Sequence, residues 1–161
     1  MKGTKRLAVL AMFTAIALTI FVAEAQIPPI VPIPGVKLGL ANIVTLIAMA
    51  LLGRRQAGEI LLVRIVLGSM FTGGVSAMLF SIAGSVFAYL IMCLTIRHFP
   101  ERLLWVVSVL AAFGHNAGQL LVAVWVTGTP SILVYAPALV AASVITGAFT
   151  GAAAMYLVRA L

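Results

Sequence analysis

A chain of 161 residues that is 64% hydrophobic, with 8% charged residues and a mean hydropathy of +1.26, is excluded from the soluble globular class, where about 25% charged residues is usual. Its net charge of +7 would indicate nucleic acid in a soluble protein, but basic residues gathered on one side of a membrane explain it, and no nucleic-acid partner is expected. The single cysteine, Cys93, excludes an internal disulfide and a cysteine-based metal site.

Residues 1–161 are read as one integral membrane domain, all-α, with six transmembrane helices. The first is predicted from Arg6 to Ala23. Lys2, Lys5 and Arg6 ahead of an apolar run, with Ala23-Glu24-Ala25 after it, imitate a cleavable signal. A retained helix is the better reading, because further membrane segments follow. Next comes Glu24–Asn42, EAQIPPIVPIPGVKLGLAN, with four prolines. It is longer and stiffer than a simple hairpin needs, so it is expected to line or lid a site. The second helix is predicted at Leu38–Leu52 and the third at Ala57–Phe71. Both fall short of the ~20 residues of a full span, so they are tilted, buried or re-entrant. The fourth is predicted at Val75–Ile96, the fifth at Leu103–Val126 and the sixth at Ile132–Val158. No internal repeat is evident.

Alternating these helices puts Lys2, Lys5, Arg6, Arg54, Arg55, Arg97, Arg102 and Arg159 on one side. Only Lys37 falls on the other. Both termini are therefore expected in the cytoplasm of a multi-pass plasma-membrane protein. Glu24–Asn42 then faces outward, where it could meet an external solute.

The polar residues inside the apolar segments are few, and each needs a reason. Arg64 lies at membrane depth, where an unpaired arginine costs about 2.5 kcal/mol or more. It is either a structural ion pair, with Glu59 an imperfect partner, or an anion clamp. His115, Asn116 and Gln119 lie within about 6 Å of helix rise and are expected to face inward, toward an interhelical network or a solute cavity. Glu24, Lys37 and Asn42 cluster at the outer ends of the first two helices. They form an interfacial salt bridge or meet a solute head group. Gly35 and Gly39 allow tight turns and close backbone approach. No metal is expected, since the second histidine, His98, sits in a cytoplasmic turn. No cofactor is expected either.

Ala8, Ala11 and Ala15 share one face of the first helix, and Gly147 and Gly151 are four apart in the last. Such small residues serve internal packing or docking of another membrane subunit. Trp105 and Trp125 match an interfacial aromatic belt. No Walker motif and no aspartate is present, and the acids are only Glu24, Glu59 and Glu101. The carboxylate clusters that hold magnesium on a prenyl diphosphate are therefore missing, and the chain is not expected to be an enzyme.

Pro34–Asn42 (PGVKLGLAN), Arg64 and Gly114–Gln119 (GHNAGQ) together resemble the bacterial Gx transporter family. Its members are often labelled heptaprenyl diphosphate synthase component I. That family is similar to the substrate-binding S components of energy-coupling factor (ECF) transporters. The resemblance implies a six-helix bundle that captures a small molecule from outside. It also implies docking on an ECF transmembrane subunit coupled to two ATPases, through an Ala-x-x-x-Ala motif that Ala11 and Ala15 match. The label hints at a substrate linked to isoprenoid or quinone metabolism. A non-catalytic subunit of a prenyl diphosphate or quinone-related system, or a structural subunit of a membrane complex, are the competing readings.

Overall fold

The structure is a computed structural model, and it describes residues 3–27, 37–72 and 75–160. The described residues are helical, without strands. Six α-helices follow in order: α1 (Gly3–Glu24), α2 (Asn42–Leu51), α3 (Arg54–Thr72), α4 (Val75–Thr95), α5 (Leu104–Thr127) and α6 (Ala136–Ala160). Short 3-10 turns, Glu101–Leu103 and Pro130–Tyr135, lead into α5 and α6. Pro28, Pro29, Pro32, Pro34 and Gly35, which the sequence marks as a stiff outer segment, lie outside the described residues.

Four of these helical stretches are long and apolar enough to cross a membrane: Gly3–Glu24, Val75–Thr95, Glu101–Thr127 and Pro130–Ala160. The chain is thus a helical membrane protein. The other two helices differ for opposite reasons. With 10 residues α2 is too short, and seven of them are buried. At 19 residues α3 is long enough, but Arg54, Arg55, Glu59 and Arg64 dilute its apolar character.

Helix ends follow local chemistry. Gly53 adopts φ +98 just after α2 and Gly128 adopts φ +63 after α5, left-handed positions where glycine avoids a Cβ clash. The Gly128 N–H then closes α5 on the Val124 carbonyl at 2.9 Å. Pro137 occupies the first turn of α6, where a missing N–H is harmless.

The core forms around α2. Leu46, Ile60, Met92, Leu104 and Val107 are almost fully enclosed, on α2, α3, α4 and α5. The closest helix pairs depend on glycine. A Cβ on Gly118 would lie 2.7 Å from the Ala83 carbonyl oxygen of α4, and one on Gly147 would lie 2.5 Å from the Val109 Cα of α5. Gly151 likewise faces the Trp105 backbone. Of the two roles open to Gly147 and Gly151, internal packing is the one they serve: they seat α6 on α5.

Charge divides the bundle lengthwise. Glu59 accepts from Arg6 at 2.7 and 2.8 Å and pairs with Arg55 at 3.3 Å. This ties the start of α1 to the start of α3. The Tyr89 hydroxyl donates to the Arg54 carbonyl, and Arg54, Arg97 and Glu101 line one cleft. The basic turns thus gather at one end, as alternation of the helices requires. Glu24 at the end of α1 marks the other.

Candidate functional site

Near that second end, α1, the segment 37–42, α3, α4 and α5 converge on a small void of about 10 Å³. Its wall includes Glu24, Lys37, Arg64, Ser81, His115 and Gln119. Five of these six are residues that the sequence marks as candidates. Asn42, a sixth candidate, stands behind the wall and bonds His115.

Three contacts fasten the segment 37–42 to the bundle. Glu24 Oε1 accepts the Gly39 N–H at 2.5 Å, and the Ala41 amide lies close to the same carboxylate. Carboxylate oxygens here complement the positive end of α2. Gln119 Oε1 accepts the Lys37 N–H at 3.2 Å. Asn42 Nδ2 donates to His115 Nδ1 at 3.2 Å. Side chains from α1, α2 and α5 therefore hold a non-helical stretch whose own amides have no helical partners.

Gly39 and Gly84 make this geometry attainable. A Cβ on Gly39 would lie 2.8 Å from His115 Cδ2, and one on Gly84 would lie 2.7 Å from Cε1 and Nδ1. Both glycines press on the imidazole. The close approach expected at Gly39 is therefore made to His115, and its φ of +79 adds a second demand for glycine.

The cations are arranged differently from the sequence expectation. Arg64 is 2% exposed, and its Nη2 donates to the Ser85 hydroxyl. Glu59, the partner considered for it, belongs to Arg6 and Arg55 instead, because it sits a full turn nearer the basic end. Glu24 supplies the nearby negative charge for Arg64 and Lys37. Among the described residues no Glu24–Lys37 ion pair forms. The Lys37 ammonium sits 3.6 Å from the centroid of the Phe21 ring, with the Arg64 guanidinium 5.4 Å from the same centroid, a cation–π arrangement on an electron-rich face. Burial lowers the Lys37 pKa from its ordinary value, and the Glu24 charge opposes that shift.

Four polar atoms around the void have no hydrogen-bond partner among the described residues: Lys37 Nζ, Arg64 Nε, Ser81 Oγ and His115 Nε2. Backbone groups of Gly84 and Lys37 lie near the His115 ring without closing a bond to Nε2 of acceptable geometry. A buried donor without an acceptor costs roughly 1–3 kcal/mol, so four around one void are a strong demand for an acceptor.

Asn116 stands apart. Its Nδ2 donates to the Leu139 carbonyl at 3.1 Å and to Ser143 Oγ at 2.7 Å, both on α6. It faces inward as expected, but one residue along a helix turns it about 100° from His115, and its amide is taken up by α6. It borders instead an apolar cleft of about 370 Å³ between α4, α5 and α6, with Phe87, Ile91, Leu120 and Val140 on its walls.

Phe21, Ser81, Gly84 and Ser85 are site residues that sequence reasoning missed. A signal existed for three of them. Ser81, Gly84 and Ser85 recur at helical spacing within an otherwise apolar α4, which marks an inward polar stripe. Phe21 carried no such mark.

A family model described as heptaprenyl diphosphate synthase component I matches residues 13–157. The chain belongs to that family. The matched span contains every residue of the convergent cluster, whereas Ala8 and Ala11 precede it. No curated protein and no solved structure matches the chain.

Proposed function

We propose that this family member is a substrate-binding membrane subunit, similar in arrangement to ECF S components, that captures a small anionic or polar molecule from outside. In this reading all six helices sit in the membrane as a single domain, with both termini in the cytoplasm. The observation that carries the proposal is the set of four unpartnered buried donors around one void, opposite the basic end. Buried polar groups in a membrane bundle are costly unless they meet a ligand or each other. Arg64 and Lys37 would neutralise the ligand's charge, and His115 and Ser81 would bond its polar part. Glu24, Asn42 and Gln119 would hold the segment 37–42 as the outer wall. Asn116 belongs to the cleft beside α6 in this account. Ala8, Ala11 and Ala15 are exposed on α1 and would form the docking face for an ECF transmembrane subunit and its ATPases. The chain itself would perform no chemistry.

A thermal-shift screen of the purified protein against vitamins, cofactor precursors and isoprenoid phosphates tests this. The expected result is saturable stabilisation by one class of water-soluble ligand, lost in Lys37→Gln. A folded protein stabilised by none of them would overturn it.

Two observations favour a second reading. The family's name and the apolar cleft beside Asn116 fit a non-catalytic membrane subunit of a prenyl diphosphate synthase that seats an apolar chain. That reading expects stabilisation by a prenyl alcohol, insensitive to Lys37→Gln.

A further inference from the structure

The unpartnered groups around the void are all donors. Lys37 Nζ and Arg64 Nε can only donate. Because His115 Nδ1 accepts from the Asn42 amide, the neutral imidazole carries its proton on Nε2, the unpartnered nitrogen. The Ser81 hydroxyl is free to donate. The missing ligand group is therefore an acceptor on every side it presents to these four atoms.

Charge sets a second limit. By formal charge Arg64 and Lys37 are positive, and Glu24, which accepts the Gly39 amide, is negative. The cluster has one formal positive charge in excess. A group with one negative charge brings it to neutrality. Each phosphate carries about −1.5 to −2 at neutral pH, so a diphosphate would leave uncompensated negative charge in a buried place. Among the described residues the wall offers no further cation and a single carboxylate, already bonded to backbone.

Size sets a third. A void of about 10 Å³ holds one water-sized atom. Gly39 and Gly84 already touch the imidazole that bounds it. As it stands, this space takes a single acceptor oxygen.

We infer that the cluster of Lys37, Arg64, Ser81 and His115 receives the carboxylate of a monoanionic solute, and that it rejects the diphosphate group suggested by the family's name. The inference rests on the capture reading above and names the chemical class of its ligand.

The test uses full-length protein in lipid nanodiscs with ¹⁵N-labelled histidine. The chain has two histidines, and exposed His98, bonded to the Leu94 carbonyl, serves as the internal control. Sodium benzoate and magnesium-free inorganic pyrophosphate are the probes. Benzoate is expected to move the His115 Nε2–H resonance saturably and leave His98 unmoved, while pyrophosphate moves neither. Lys37→Gln, which removes only an ammonium over a ring, is expected to weaken benzoate about tenfold or more. Arg64→Gln is a second variant, checked for a cooperative melt. Pyrophosphate acting as strongly as benzoate, or more so, would overturn the carboxylate assignment and leave the capture reading standing. The same holds if only an uncharged compound from the thermal-shift screen moves His115. If no solute of any charge moves His115 or the melting midpoint, both fail.

Discussion

Asn42 Nδ2 lies 3.2 Å from His115 Nδ1, and this one contact fixes which imidazole nitrogen faces the void. Asn42 opens α2 and His115 sits in the middle of α5, so the bond also couples the segment 37–42 to α5. Replacing Asn42 with Ala should strand a buried ring nitrogen at a cost of about 1–3 kcal/mol. It should also free the ring to change tautomer. Thermal unfolding measures the first effect and ¹⁵N chemical shifts of His115 the second.

Gly39 and Gly128 both have positive φ, at +79 and +63, but only Gly39 has a neighbour in the way. Gly128→Ala meets open space and should cost about 1–2 kcal/mol from backbone strain alone. Gly39→Ala carries the same strain and drives a methyl into His115, so its loss should be larger, and it should abolish ligand stabilisation. Comparing melting midpoints of the two variants, with and without benzoate, separates strain from site disruption.

Asn116 and Gln119 are three residues apart on α5, yet they serve different neighbours. Asn116→Ala leaves the Leu139 carbonyl with Ser143 as its remaining side-chain donor and should cost about 1–3 kcal/mol of stability, with anion affinity unchanged. Gln119→Leu removes the acceptor of the Lys37 N–H, so it should lower both stability and affinity. A titration on each variant, alongside its melt, distinguishes them.

Gly118→Ala should cost about 1–3 kcal/mol, since its methyl would meet the α4 backbone at Ala83 rather than a yielding side chain. Ala15→Leu, on the exposed face of α1, should leave the isolated subunit's stability nearly unchanged. It should weaken assembly with a partner only if that face docks. Melting and co-purification of the two variants give the contrast.

The long helices were legible because continuous apolar runs end at glycine, proline or charge. Val75–Ile96 was expected and Val75–Thr95 is found; Leu103–Val126 was expected and Leu104–Thr127 is found. The second helix was placed four residues too early, at Leu38 instead of Asn42. Gly39 breaks the helix locally at φ +79, and Glu24 and Gln119, distant in sequence, take the amides of Gly39 and Lys37 and hold the stretch open. The third helix begins at Arg54 instead of Ala57. Two adjacent arginines read as a turn, yet Glu59 and the Tyr89 hydroxyl engage that first turn and keep it ordered.

The candidate site was legible where a polar side chain interrupts lipid-compatible sequence, as with Arg64, His115 and Gln119. Partners were harder. The preference of Arg64 for Ser85 over Glu59 depends on how α3 packs against α4, which side-chain spacing along one helix does not contain. The separation of Asn116 from His115 depends on where α6 lies relative to α5.

The most direct test of the capture claim is native mass spectrometry of the full-length protein purified from its producing cells in mild detergent, beside Lys37→Gln and Arg64→Gln. The account predicts that collisional activation releases a small anionic molecule from the native protein and that the variants release little or none. Identical spectra from all three, with only lipid released, would contradict it.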